Sequence, residues 1–195
     1  MSNKTLPAFD DFINDMRAIW AREKDTKRRM ELSRDRLEVL VRDPTLQKHS
    51  ESWPSTEGRK NLLLHEDAEH GFVVNAVVRV PGRTGSIHDH AHAYTAYGVC
   101  YGAEYLERFE RLDDGKKDGH AEIKHVSTTL GAPGIVDLVP PWAIHAEQGS
   151  DRRSCAVIIR SERLVGKVLQ HNYDLAEKTV VQRSGPEQIP YRLTV

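Results

Sequence analysis

His88, Asp89 and His90, with His145 much further along the chain, are the residues best placed to do chemistry. In a β-strand, residues two apart point to the same face. His88 and His90 therefore reach toward one ion while Asp89 points away, and His145 has to come from a strand that pairs nearby. Three neutral imidazoles suit Fe, Zn, Cu or Ni far better than Mg or Ca, which want oxygen. Both halves of the group lie in stretches punctuated by Gly and Pro. The first runs from Gly82 to Gly102, and the second from Gly134 through Pro140 to His145. A lone His-x-His is often two surface histidines on a strand; the second half makes a bound metal the stronger reading.

Other polar residues surround this group in the sequence. His92 shares the parity of His88 and His90, and Tyr94 and Tyr97 follow at once. All three are candidate proton carriers or oxygen-facing groups at the metal. Arg79, Arg83 and Arg160 are each able to clamp a carboxylate. Surface arginine is the default reading for Arg83, whereas Arg160 ends the apolar run 156–159 on the segment after His145. Glu147, two residues past His145, is weighed as a fourth ligand and left outside the expected set. His49, His65, His70, His120, His125 and His171 fall in loops, strand ends or polar runs and are set aside as non-ligands.

The surrounding pattern says what positions these side chains. Residues 7–42 read as helical. Phe9, Phe12, Ile13, Met16, Ile19 and Trp20 recur at three- and four-residue spacing and make one apolar stripe. Pro7 and Asp10-Asp11 suit a helix start. Leu37, Leu40 and Val41 belong to a second, more charged helix that stops before Pro44. The charge-rich stretch 22–36 reads as a solvated face, and 53–58 as a loop. From Asn61 the period changes to short β-type runs at 61–65, 72–80, 96–101, 105–111, 122–127, 135–139, 154–160 and 178–183. Turn signals such as Pro81-Gly82, Asp113-Asp114-Gly115 and Gly149-Ser150-Asp151 separate several of them. Many short strands at this spacing predict an all-β core, a closed or sandwich-like antiparallel barrel.

Length and charge bound the rest. A chain of 195 residues is long enough for one sizeable core. A formal net charge of -1 offers no electrostatic case for nucleic acid or an anionic membrane. No apolar run approaches the roughly 18 residues needed to span a bilayer, and the N-terminus lacks the apolar core of a signal peptide. Cys100 and Cys155 sit in apolar, strand-like contexts, which predicts two buried free thiols and a reducing, cytoplasmic setting.

The pattern as a whole resembles a known family. The second half of the histidine group, Gly134 through Pro140 to His145, is similar to the second motif of the cupin superfamily, and 82–102 to the first. Asn61-Leu-Leu-Leu, Phe72-Val-Val-Asn, Pro81-Gly82 and Ser86-Ile-His88-Asp-His90 together resemble the thiol dioxygenases, the cupin group of cysteine dioxygenase and 3-mercaptopropionate dioxygenase. The stretch from Tyr97 to Tyr105, followed by Arg108-Phe109, resembles the mercaptopropionate branch. The likeness covers about residues 57–170. It implies a cupin double-stranded β-helix, a jelly-roll barrel, over 57–195, with an N-terminal helical segment over 1–56 packed on it. It implies mononuclear Fe(II) held by His88, His90 and His145. It implies a small thiol and O2 as partners and a monomer or homodimer as the assembly.

The chain also departs from that family. When Asp151-Arg152 is aligned to the family's Asp-Arg, its serine–histidine–tyrosine relay falls on Ala156, Ile158 and Arg160. The arginine that grips the substrate carboxylate in the cysteine branch aligns with Lys60, which keeps the charge and loses the bidentate fork. Thr95 stands where a thioether crosslink would need cysteine, and Arg79 replaces a tryptophan. Lys60, Arg79 and Arg160 are thus the candidate substrate-binding cations. What the resemblance implies is oxidation of a small thiol carboxylic acid to a sulfinate. Two other classes stay open. One is a different three-histidine cupin enzyme, such as a diketone-cleaving dioxygenase or a Zn or Mn isomerase or lyase. The other is a non-catalytic small-molecule-binding cupin.

Overall fold

The computed structural model describes residues 4–194. Residues 1–3 and residue 195, the outer ends of the two expected segments, lie outside the described residues. Among the described residues three helices come first, α1 (Pro7–Arg22), α2 (Thr26–Arg42) and α3 (Pro44–Ser50). Pro7 takes the first turn of α1, where a missing N–H costs nothing. Asp25 caps α2 by accepting from the Arg28 N–H, and the extended Asp43 caps α3 by accepting from Thr45 and Leu46. Pro44 does end α2, as expected, but it also begins a further short helix that the sequence reading treated as the end of the helical segment. No helix among the described residues is long and apolar enough to cross a membrane.

Twelve strands follow: β1 (Lys60–Glu66), β2 (Val73–Arg79), β3 (Ile87–His88), β4 (Thr95–Tyr101), β5 (Glu104–Arg111), β6 (Ile123–Gly131), β7 (Val136–Val139), β8 (Ile144–Gly149), β9 (Ser154–Arg160), β10 (Leu169–Asp174), β11 (Thr179–Ser184) and β12 (Glu187–Pro190). They form two six-stranded sheets, in the order β12-β1-β2-β9-β4-β7 and β11-β10-β3-β8-β5-β6. Every described strand pairing but one is antiparallel; β12 runs parallel to β1. This crossed order of two facing sheets is the double-stranded β-helix, so the all-β barrel with N-terminal helices is the fold observed. All eight predicted strands are present. β3 and β8 are the strands expected to carry His88 and His145, for which the sequence sets no bounds; β10 and β12 are additional. β3 has only two residues, half of β8 and most of β10 carry polar side chains, and β12 ends in an edge proline.

The sheet containing β2, β4 and β9 is buried on both faces, and this divides the molecule's interior in two. Val74, Ala76 and Val78 of β2, Ala96 and Cys100 of β4, and Cys155, Val157 and Ile159 of β9 pack against Phe9, Phe12, Met16, Trp20, Leu37 and Val41 of the helices. The alternate residues, Val77, Tyr97, Val99, Ala156 and Ile158, pack inward against Leu106 of β5 on the facing sheet. The amphipathic stripe on α1 thus finds its partner on the outside of the barrel, as its spacing predicts. Gly98 makes the approach of α2 possible: a Cβ there would lie 3.0 Å from Val41, 3.1 Å from Leu37 and 3.1 Å from Val136. The same alternation sets which polar residues enter the barrel. Asn75 and Arg79, Thr95 and Tyr97, and Ser154 and Arg160 share the inward parity. Cys100 and Cys155 are buried free thiols, as expected.

Candidate metal centre

His88 and His145 lie directly opposite each other on neighbouring antiparallel strands, β3 and β8. His90 comes from the turn that follows β3. One ring nitrogen from each of the three lies within 4.8 Å of the others, and the ring centroids are 4.4 to 4.8 Å apart. The expected ligand set is therefore assembled. Its geometry differs in one respect from a simple strand pair. β3 ends at His88, so His90 reaches the cluster through a turn and not through strand alternation. Ala91 in that turn holds a left-handed φ of 48°, a conformation a non-glycine residue keeps only where its surroundings impose it.

Asp89 imposes much of it. Its buried carboxylate accepts from the Ala91 N–H, from the backbone N–H and ring Nδ1 of His171, and from the Tyr173 hydroxyl at 2.9 Å. This ties the ligand turn to β10. Asp89 does point away from the ion site, as its parity predicts, and it anchors the loop that carries His88 and His90. His171, set aside from the sequence as a non-ligand, is indeed absent from the cluster; it holds Asp89 instead.

The tautomers follow from the hydrogen bonds. His88 Nδ1 donates to the Ser86 carbonyl at 2.9 Å, and His145 Nδ1 donates to the Ala143 carbonyl at 2.8 Å. In a neutral ring the proton then sits on Nδ1, and the Nε2 lone pair faces the cluster. His145 Nε2 is buried with no hydrogen-bond partner. Burial, with His88 alongside, pushes the His145 ring down to about 4. Burial first, then His88 and His145, holds His90 well below the ordinary histidine value. Neutral imidazoles with converging, unpartnered lone pairs are the donor set a transition-metal ion takes, so the residues present fit the implied metal. His90 Nδ1 lies 2.6 Å from the Gln170 side-chain amide. Binding through His90 Nε2 puts the ring proton on Nδ1, and the amide then presents its oxygen there.

A cavity of about 590 Å³ opens onto His88 and His90. Lys60, Arg79, Thr95, Tyr97, Glu147 and Arg160 also line it. Arg160 is buried. It donates to Asn75 Oδ1 at 2.6 Å, its Nε has no partner, and no carboxylate lies within salt-bridge distance of it among the described residues. Burial pushes its guanidinium down to about 10, against the opposing pull of Glu147. Arg79 is also buried but is not free: its Nε lies 3.4 Å from Glu104 and an outer nitrogen 3.5 Å from Glu147. Lys60 is exposed at the cavity rim. Tyr97 donates to Glu104 at 2.5 Å, and burial raises its phenol well above the ordinary value. It faces the cavity as a neutral hydroxyl already committed to a carboxylate.

His92 and Tyr94 do not join the group. His92 lies in the turn after His90, exposed, with Nε2 3.1 Å from Glu162; the strand parity that would have carried it inward ends at β3. Tyr94 packs on the helix side of the sheet. Tyr94 and Tyr97 are three apart, so in a strand they face opposite sides; that spacing alone was enough to separate them. Arg83 is tied to the backbone carbonyls of Thr56 and Gly58. Glu104 and Asn75 enter the interior without having been singled out. Asn75 had a legible signal, since it lies four residues before Arg79 on one strand face. Gln170 and its contact with His90 had none.

The sequence matches no protein-family model and no curated protein. Solved structures show loose likeness. A double-stranded β-helix protein of Klebsiella pneumoniae subsp. pneumoniae MGH 78578 is 16% identical, with a TM-score of 0.41, over 63% of this chain and 85% of that one. The cupin domain of Schizosaccharomyces pombe Cnp3 is 10% identical, TM-score 0.40, over 51% and 58%. An oxalate oxidase in complex with the substrate analogue glycolate is 20% identical, TM-score 0.41, over 60% and 61%. This chain spans less than two thirds of the length of the latter two. The sheet order and the burial pattern carry the fold on their own: a double-stranded β-helix barrel, closed on one side by N-terminal helices and enclosing a three-histidine cluster that could hold a metal ion.

Proposed function

We propose that this protein is a mononuclear non-haem Fe(II) dioxygenase that converts a small thiol carboxylic acid to its sulfinate with O2. The observation that carries the reading is the pairing of two features in one cavity. His88 and His90 line it beside His145, the third member of the converging cluster, and a buried guanidinium without a carboxylate partner, Arg160, lines the same space. A divalent ion on three neutral ligands keeps its double positive charge, and Arg160 adds a fixed cation, so the pocket suits an anionic substrate. The resemblance to thiol dioxygenases supplies the thiol.

When bound, the metal supplies the activation of thiolate and dioxygen. The net change adds both atoms of O2 to one sulfur: RS⁻ + O2 gives RSO2⁻. The chain's residues do the rest. His88, His90 and His145 hold the ion, with Ser86, Ala143 and Gln170 fixing their rings. Arg160 holds the substrate carboxylate in a charge-assisted hydrogen bond. The helix-covered sheet excludes water from the inner wall. Lys60 at the rim attracts the acid on entry. Tyr97, already donating to Glu104, contributes a fixed neutral wall.

The test is oxygen uptake by the Fe(II)-loaded protein with small thiol acids, with the sulfinate identified by mass spectrometry. His145→Ala is expected to lose bound iron and activity together. Iron-loaded protein that consumes no oxygen with any thiol acid, or consumes it without forming a sulfinate, would sink the reading.

A further inference from the structure

Glu147 follows His145 by two residues on β8, so both side chains enter the barrel from one strand face. Glu147 Oε1 lies 3.4 Å from His145 Nε2. His145 has its proton on Nδ1, where it donates to Ala143. Nε2 is buried with no hydrogen-bond partner, and in the neutral ring that metal binding requires it and the Glu147 oxygen face each other as two acceptors. Two buried lone pairs do not stay so placed unless a cation lies between or beside them. Arg79 cannot be that cation for Nε2, because it reaches the other oxygen, Oε2, at 3.5 Å.

The carboxylate is also braced from behind. Arg79 is held on its far side by Glu104 at 3.4 Å, and Glu104 in turn accepts from Tyr97 at 2.5 Å and from Ser154 at 2.7 Å. Each member of this chain is buried. Glu147 is thus fixed with one oxygen on Arg79 and the other beside the histidine cluster.

We propose that Glu147 is a fourth protein ligand to the ion, with Arg79 as the residue that positions its carboxylate. This rests on the metal-centre reading above and amends its charge count: with Glu147 bound the ion keeps one net positive charge, and Arg160 supplies the fixed cation that holds an anionic substrate. A six-coordinate ion on three histidines and Glu147 keeps two positions for substrate and oxygen in place of three. The substrate then enters through its sulfur alone and its carboxylate goes to Arg160. Thiol acids lacking an adjacent amine are therefore sufficient ligands.

The experiment loads metal-free protein with Co(II). It reads the visible absorption spectrum, the Co(II) affinity by competition with a chromophoric chelator, and the crystal structure of the loaded wild type. A Glu147 oxygen at about 2.0–2.2 Å from the ion is expected. Glu147→Gln should shift the Co(II) bands and weaken binding by at least about tenfold. Arg79→Met should weaken binding while leaving a Glu147 oxygen in the coordination sphere. Wild-type crystals in which Glu147 stays in contact only with Arg79, or a Glu147→Gln protein with wild-type spectrum and affinity, overturn the proposal. If Glu147→Gln does not fold, the wild-type crystal decides alone. One Co(II) bound by the three histidines without Glu147 removes this inference and leaves the proposed function standing; no Co(II) bound at all removes both.

Discussion

Arg160→Met isolates the substrate grip. Arg160 is buried, makes one side-chain hydrogen bond, to Asn75, and has no carboxylate partner among the described residues. Removing it breaks no ion pair. The cost within the protein is the Asn75 oxygen, which keeps a long 3.5 Å contact from Gln188. A buried acceptor left unpaired costs about 1–3 kcal/mol. Against that, an unpaired buried charge is itself expensive, and exchanging it for an apolar side chain is often neutral or stabilising. The melting temperature is therefore expected to change little. Catalysis is expected to change much more. A hydrogen bond to a charged group contributes about 1.5–3 kcal/mol, and about 1.4 kcal/mol is tenfold in rate. Catalytic efficiency on a thiol acid should fall by roughly ten- to a hundredfold. The assay is steady-state oxygen uptake with iron content measured in each sample. The methyl ester of the same thiol acid is the control. It has no carboxylate to lose, so wild type and variant should turn it over with similar, low efficiency. If Arg160→Met keeps wild-type efficiency on the acid with full iron, the carboxylate is not held there. The same substitution at Arg79 and Lys60 then tests the remaining cations. If all three leave efficiency unchanged, a neutral or diketone-like substrate becomes the better reading.

Three further outcomes follow from the packing. Asp89→Ala removes the acceptor that ties the ligand turn to His171 and Tyr173; metal affinity should drop by about 10- to 100-fold in a chelator competition assay with the fold retained by circular dichroism. Gly98→Ala places a Cβ 3.0 Å from Val41; overpacking of this kind costs about 1–3 kcal/mol, read as a lower melting temperature, and unchanged melting would show that α2 yields freely. Deleting residues 1–44 uncovers the outer face of β2, β4 and β9, so the truncated chain should aggregate in size-exclusion chromatography; a soluble barrel with unchanged melting would show the helices to be dispensable.

The parts of this molecule that the sequence makes legible are those with one wet face or one strong spacing. The stripe on α1 is an example: its apolar residues recur with the helical period because the opposite face is solvated. His88, His90 and His145 are legible for another reason, since few other uses bring three histidines into Gly- and Pro-bounded stretches of this kind. β2 and β9 are legible as apolar runs, but their faces are not. Every residue of both strands is buried, one set against helices and the other in the barrel, so hydrophobicity does not mark which side is which. Only the polar interruptions do. Asn75, Arg79, Ser154 and Arg160 stand out in those runs, and all of them point inward.

That asymmetry explains which of the expected residues reach the cavity and which do not. Arg160 was placed by its parity with the missing relay, and parity survives along β9 because that strand is regular through seven residues. His92 was placed by parity with His90, and there parity fails. β3 stops at His88, and Asp89 pulls the chain into a turn against β10 to satisfy its own buried carboxylate. The residue that breaks the strand is thus the one between the two ligands. A strand continued through His90 would have sent His92 into the cavity and left Asp89 unpaired beneath the sheet. The turn instead delivers His90 to the cluster, buries Asp89 with four donors, and leaves His92 to solvent and Glu162. The hydrogen bonds of Asp89 hold the left-handed Ala91 and with it the loop that carries His88 and His90, and so the Asp89 substitution should loosen the metal before it loosens the fold.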